Sequence, residues 1–274
     1  MFRVFSRNKS VASLNAKIGR KGYKQGGAML QDAIGIRVAL YFDDDVALVK
    51  KILRSQFHCR EVDSQEDFPK PDSFSAVRDN LIFDVPIDQA RIFRSAYSDP
   101  AIDTTFEVQI RTILSEGWHE VDHDMRYKNK GLWQEDPALE RALNALLATL
   151  WTCDRALREV IEELAWKRYK AGDAAGAVLL KFRLRFVDAA VRKDMIDWLA
   201  RDDRRLRALF RSDRSKLLRV LADCDDCPPI TVTNILIMVS VLQGQLSLDS
   251  EHVSEILRTF LRPLIGCSID LIDH

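Results

Sequence analysis

The sequence predicts an α+β fold, a mixed sheet with flanking helices over about residues 1–130, followed by an all-α domain over about 131–274. Three observations predict it. Stretches of period-two alternation fall before Gly131 and almost none after it. Leucines at helical spacing dominate from Pro137 onward, with Gly172, Pro228-Pro229 and Gly244 as breaks. A chain of 274 residues also has room for two ordinary domains.

The first element is Ala33 to Phe42, which places Ile34, Ile36, Val38, Leu40 and Phe42 on one strand face. Asp43 to Asp45 end it, and Val46 to Phe57 reads as an amphipathic helix. Asn80 to Val85 is a second strand stopped by Pro86. Thr104 to Thr112 is a third, with Phe106, Val108 and Ile110 towards a core and Glu107, Gln109 and Arg111 together on the other face. Three polar residues on one face describe either solvent exposure or a site floor. Beyond the boundary, Leu139, Leu143, Leu146, Leu147 and Leu150 begin a helix, and Ile230 to Leu242 reads as a buried one. That run is interrupted by polar residues and too short to span a bilayer, so no membrane partner is expected.

Acidic and basic residues balance at 41 each, which gives no whole-molecule attraction to nucleic acid. The balance is uneven along the chain. Arg3, Arg7, Lys9, Lys17, Arg20, Lys21 and Lys24 all precede the first acid, Asp32. A phosphate-binding face has this composition, as does a solvated helix or a disordered basic arm. The basic N-terminus has no apolar segment of the signal-peptide kind behind it, and the five cysteines show no framework spacing. Cys224 and Cys227 form a CxxC without a second pair, so a reducing, cytoplasmic setting is the expectation.

The stretch His119-Glu120-Val121-Asp122-His123 fits the H-E-x-x-H pattern of zinc proteases. Its surroundings do not. No H-x-x-G-x-x-H follows, only Glu135 and Glu140 are near enough to supply a third ligand, and Asp122 occupies a normally uncharged position.

The flanks fit another pattern. Glu107-Val108-Gln109-Ile110-Arg111-Thr112, then Trp118, Asp122-His123 and Tyr127-Lys128, resemble the signature of the RelA/SpoT alarmone synthetases. Asp32-Ala33-Ile34-Gly35-Ile36-Arg37 is similar to that family's D-x-x-G-x-R, and Ser6, Arg7, Lys9, Ser13 and Lys17 to its S-R-x-K-x-x-x-S-x-x-x-K run. The resemblance implies a polymerase β-like nucleotidyltransferase sheet and Mg²⁺-dependent transfer of the β,γ-pyrophosphate of ATP to a nucleotide 3′-hydroxyl. By carry-over, Asp32 binds the metal, while Glu107 orients or deprotonates the attacking hydroxyl and shares the metal. Arg7 and Arg37 sandwich the adenine, Lys9, Lys17 and Arg20 clamp the triphosphate, and Ser13 belongs to the same ATP-binding run. Gln109, Arg111, His123, Tyr127 and Lys128 line the site.

Two departures qualify the expectation. Family members usually carry helices before the S-R-x-K run, which begins here at Ser6. Either the helical second half or a partner covers that flank, or the start is truncated; without a hydrolase half, alarmone hydrolysis is not expected. The acceptor loop G-Y-x-S-x-H is replaced by Ser73 to Asn80, lacking its Gly, Tyr and His. Phe74 offers a stacking face there, and Arg78 and Asn80 are the candidates for hydrogen bonds to a base. GDP or GTP is therefore the expected acceptor, giving (p)ppGpp. A toxin-type enzyme acting on the 3′ end of tRNA and a decayed nucleotide-sensing module are the other classes. The C-terminal helices are expected to serve a homo-oligomer or a protein partner.

Overall fold

The computed structural model describes residues 3–23, 27–67, 79–133, 136–223 and 226–265. Five strands, β1 (Arg3–Asn8), β2 (Ile34–Leu40), β3 (Gln65–Glu66), β4 (Asp79–Asp84) and β5 (Thr105–Thr112), form one sheet in the order β1-β2-β5-β4-β3. The central pair β2 and β5 is parallel and the other pairs are antiparallel, so the sheet is mixed. Its flanking helices in the first half are α1 (Val11–Lys21), α2 (Asp44–Gln56) and α3 (Ile87–Ala96).

One sheet face is apolar. Val38 and Leu40 of β2, Phe106, Val108 and Ile110 of β5, and Leu81 and Phe83 of β4 are buried there, and Val46, Val49 and Leu53 of α2 pack on them. Phe57 closes the layer, meeting the Phe106 ring edge-on at 5.5 Å. Because side chains alternate along a strand, this burial sends the intervening residues to the opposite face. A second cluster, including Leu14 and Ile18 of α1, Leu30, Phe93 of α3 and Ile102, seats α1 beside the sheet.

After β5 the chain enters α4 (Ile113–Val121), capped by Thr112, whose hydroxyl accepts from the Ser115 amide at 3.1 Å. A π turn (Asp122–Arg126), a 3₁₀ turn (Tyr127–Asn129) and α5 (Lys130–Trp133) lead to the 34-residue α6 (Pro137–Lys170). The Thr112 hydroxyl also donates to Asp154 of α6 at 2.6 Å, tying that helix to the end of β5. Helical turns follow one another from Ile113 onward, and the division into compact units, 1–156 and 157–274, falls inside α6.

The second unit contains α7 (Ala174–Phe182), α8 (Lys193–Ala200), α9 (Asp203–Arg211), α10 (Arg214–Ala222), α11 (Val232–Leu242) and α12 (Glu255–Leu261). The apolar run expected to be a buried helix is α11, enclosed from Val232 to Val241 apart from Asn234. Valines, leucines and isoleucines of α11 join Phe182, Met195, Leu209, Leu217 and Leu257 in one core. No described helix is long and apolar enough to cross a membrane.

Candidate active site

The polar face of the sheet collects much of the expected site. Cross-strand register sets Arg7 opposite Gly35 and Gly35 opposite Glu107. One pleat on, Arg37 lies opposite Gln109, and Gln109 opposite Asn80. Partners in register share a face, so Arg7, Arg37, Glu107, Gln109, Asn80 and Arg111 lie on one side of the sheet. Arg7 and Arg37 are diagonal neighbours on adjacent strands, a relation that separates residues by about 7–8 Å.

Asp32 stands just before β2, where Lys9 and Lys17 converge on it. Its Oδ2 lies 2.7 Å from Lys9 Nζ and 2.5 Å from Lys17 Nζ, and Lys9 also donates to the Asp32 carbonyl at 2.6 Å. Burial works to raise the Asp32 carboxyl, but hydrogen bonds and charge from the two lysines outweigh it and hold the group below the usual carboxylate range. Lys9 is lowered from the ordinary lysine value by its own burial, which the pairing with Asp32 only partly offsets. The geometry follows from local sequence. Lys9 directly follows β1, its amide donating to the Ala33 carbonyl at 3.0 Å, and Ser10 then caps α1 by accepting from the Ser13 amide. Ser13, Lys17 and Arg20 fall on one face of that helix by spacing. Ser13 shares a hydroxyl contact with Ser10 at 2.9 Å, and Arg20 is exposed in the last turn.

Arg37 has partners that the sequence reading did not assign. Its Nη1 lies 2.5 Å from Glu116 Oε1 and 2.5 Å from Glu120 Oε1, and Arg111 Nη1 lies 3.0 Å from Glu116 Oε2. Burial opposes the charge on Arg37, yet the two carboxylates raise it above the ordinary value; Arg111, more deeply placed, is lowered by burial despite Glu116. The clue was present in the sequence: Glu116 and Glu120 are i and i+4 on a helix that directly follows the site strand.

That pairing also settles the HEVDH stretch. Glu120 is engaged with Arg37, His119 is buried in α4, and His123 is exposed in the π turn beside Asp124. Among the described residues no group of three His, Cys, Asp or Glu side chains is placed to hold a metal. Asp122 instead contacts Arg126, whose guanidinium lies 5.5 Å from the Trp118 ring centroid.

Glu107 is held by two amides. Asn80 Nδ2 donates to its Oε1 at 3.0 Å, and Gln109 Nε2 to its Oε2 at 3.1 Å. Asn80 therefore meets the carboxylate directly, a role the sequence did not suggest, and its own Oδ1 is buried without a partner. His123, Tyr127 and Lys128 gather around the turn after α4. The rings of His123 and Tyr127 stack at 5.8 Å, and His123 and Lys128 both meet Asp124. Phe74 and Arg78 lie outside the described residues, as does Cys224 of the CxxC.

Asp32 and Glu107 are the side chains that could hold a divalent cation here. Asp32 Oδ1 is buried with no hydrogen-bond partner, a hard oxygen without a cation of its own. Asp32 stands just before β2, and Glu107 faces Gly35 near the start of that strand, so both carboxylates lie toward the same end of the sheet. Mg²⁺ is commonly held by one or two carboxylates, with phosphate oxygens and water completing its shell.

Fold and face together define an α+β domain with a single polar face, flanked by cations and carrying an acid pair. Residues 6–132 match the family model described as the region found in RelA / SpoT proteins. Solved structures with similarity include small alarmone synthetase 1 from Bacillus subtilis bound to its product pppGpp, at 23% identity, covering 59% of this chain and 78% of that one, TM-score 0.45. Small alarmone synthetase 2 from Bacillus subtilis is 25% identical, covering 59% and 80%, TM-score 0.44. A GTP pyrophosphokinase family protein from Streptococcus pneumoniae is 24% identical, covering 58% and 74%, TM-score 0.41. No curated protein matches the sequence.

Proposed function

We propose that this chain is a cytoplasmic, Mg²⁺-requiring pyrophosphotransferase that moves the β,γ-pyrophosphate of ATP to the 3′-hydroxyl of GDP or GTP, giving (p)ppGpp and AMP. The observation that carries the reading is Glu107, held by two amides on the same sheet face as Arg7 and Arg37, beside Asp32 and its two lysines. It is supported by the RelA/SpoT region spanning all of these residues.

Each residue has a task in this reaction. Arg7 and Arg37 stand about 7–8 Å apart as diagonal neighbours, a spacing that admits one flat base between two guanidinium planes. Arg37, already neutralised by Glu116 and Glu120, is suited to stacking rather than to drawing phosphate. Lys9, Lys17 and Arg20 neutralise the triphosphate. Asp32 and Glu107 would hold Mg²⁺, which supplies charge neutralisation across the phosphate oxygens when bound. Glu107 takes the proton of the attacking 3′-hydroxyl as that oxygen bonds to the β-phosphorus. The bond from the β-phosphorus to the α–β bridging oxygen breaks, and AMP leaves with the electron pair.

Guanine-nucleotide use rests on the family region, with Phe74 as the expected stacking face and Arg78 as the expected polar partner, while Asn80, the other sequence candidate, holds Glu107 instead. The test is ATP labelled in its β- or γ-phosphate, offered in parallel to GDP, GTP, other nucleotides and total tRNA. Label in GDP and GTP with release of AMP is expected, and Phe74→Ala weakens acceptor binding more than ATP binding. Label in tRNA alone overturns the acceptor assignment, and no AMP release with any acceptor overturns the activity.

A further inference from the structure

The edge strand β1 carries an aromatic ring on the same face as the site. Register places Phe5 opposite Arg37, just as it places Arg7 opposite Gly35, so these residues form adjacent rungs on one side of the sheet. Arg7 and Arg37 hold one diagonal across the rungs, and Phe5 and Gly35 hold the other. Those last two corners differ. A methyl group placed on Gly35 would meet only the Arg7 carbonyl, at 3.9 Å, so the space above it is open. Phe5 instead fills its corner. Arg3, two residues earlier on the same face, sets its guanidinium 5.3 Å from the ring centroid and backs the ring on the side away from Arg7. The ring remains 41% exposed.

Single exposed apolar side chains are ordinary on protein surfaces; the position of this one is not. Lys9 and Lys17 converge on Asp32 at the end where β1 finishes and β2 begins. Arg7 and Gly35 form the rung nearer that end, and Phe5 and Arg37 the rung farther from it. A nucleoside triphosphate with its phosphates at the lysines and its base between the two guanidinium planes therefore crosses the open space at Gly35. The distal edge of its base is then turned to Phe5.

We infer that Phe5 is a base-contact residue that closes the far edge of a bound purine and favours purine over pyrimidine triphosphates. The inference rests on the ATP site proposed above and adds to it the feature that selects the base. Both faces of the base belong to Arg7 and Arg37, so Phe5 meets its rim, an edge-to-face arrangement that aromatic rings favour. In a purine the part farthest from the ribose is the six-membered ring. A pyrimidine, joined to the ribose through its single ring, ends short of Phe5 when its phosphates occupy the same place.

The experiment is isothermal titration of the full chain with Mg²⁺ present. The probes are α,β-methylene ATP, which lacks the bridging oxygen whose bond would break, CTP, and inorganic tripolyphosphate. Phe5→Ala is expected to raise the dissociation constant for the ATP analogue by about 2- to 13-fold, the worth of one aromatic contact. The constants for CTP and tripolyphosphate stay unchanged, and the latter shows that β1 is intact, because Lys9 directly follows that strand. Phe5→Tyr keeps the ring and with it the wild-type affinity. A wild-type chain that fails to bind the analogue overturns the ATP reading and the inference with it. A wild-type chain that binds it, with Phe5→Ala binding equally well, overturns the role of Phe5 alone, as does a loss shared equally by all the probes.

Discussion

Replacing Asp32 by Asn separates its two roles, because the site carboxylates have different neighbours. Asp32 accepts from Lys9 and Lys17 at 2.7 and 2.5 Å, with its side chain only 19% exposed. Hydrogen bonds to charged groups contribute about 1.5–3 kcal/mol each, and stranding a buried charge costs about 3–5 kcal/mol. Both lysines retain some access to water, which places the expected loss near the lower figures, at about 2–3 kcal/mol. At roughly 2–4 °C per kcal/mol, that lowers Tm by about 4–12 °C. Glu107→Gln exchanges an acceptor held by two neutral amides for an amide that keeps one of those bonds, a loss of about 0.5–1.5 kcal/mol. Both variants are expected to stop AMP release, while only Asp32→Asn loses substantial stability. The pH dependence has a definite sign. Asp32 is held below the usual carboxylate range, so its stabilisation is complete above about pH 4 and fades as pH falls through the depressed value. The gap between wild type and Asp32→Asn should therefore be level from neutral pH downward and close only in acid. Thermal unfolding across pH, beside an AMP-release assay, measures both quantities. An Asp32→Asn protein as stable as Glu107→Gln at neutral pH would refute the lysine-pair argument.

Three further outcomes are expected. Arg37→Ala raises the KM for ATP by about 5- to 150-fold, the worth of one stacked base, while Glu120→Ala changes it only a few-fold because Glu116 still holds the guanidinium; steady-state kinetics at saturating acceptor check this, and an inactive Glu120→Ala counts against the reading. Asn80→Leu removes the donor to Glu107 together with the orphaned Oδ1, so Tm holds or rises while kcat falls at least about tenfold and the KM for ATP stays put; a fall in Tm without a fall in kcat makes Asn80 merely structural. Burial raises the Asp154 carboxyl against the bond from Thr112, so its charge opposes folding at neutral pH and protonation relieves that on acidification. Asp154→Asn should leave Tm at neutral pH unchanged or higher and remove this acid-side gain, and a clear loss of Tm at neutral pH contradicts it.

The parts of the fold legible in the sequence are those where one face is buried. β2, β4 and β5 alternate because one side meets α2, and α11 is continuously apolar because it is enclosed. β1 was invisible for the opposite reason. All six of its residues are exposed, and its place is set by backbone pairing with β2 alone, which leaves no hydrophobic period to read. The seating of α1 rests on just two buried residues of its own, Leu14 and Ile18, which left the basic N-terminus open to several readings. Glu107, Gln109 and Arg111 were readable as a shared face because alternation is local. The bonds from Asn80 to Glu107 and from Glu116 and Glu120 to Arg37 join separate elements, and only the sheet register and the direction of α4 bring them together.

Those bonds change what the cations around the site are free to do. The first thirty-one residues carry no acid, which suggests a strongly positive surface, yet Lys9 and Lys17 both point at Asp32. Arg37 and Arg111 are likewise matched by Glu116 and Glu120, so these four side chains sum to zero. Pairing of this kind weakens long-range attraction for phosphate but holds the side chains in place, lowering the ordering cost when a ligand arrives. The two groups then diverge. The partners of Arg37 lie on α4 and remain with it, which leaves a fixed, neutralised plane for stacking. The partner of Lys9 and Lys17 is a carboxylate suited to a divalent cation, and once it has one, both lysines can turn to phosphate oxygens. Under the proposed function, Lys9 and Lys17 would present their charge to a triphosphate once a cation is held at Asp32, which would favour a metal-bound triphosphate over other anions.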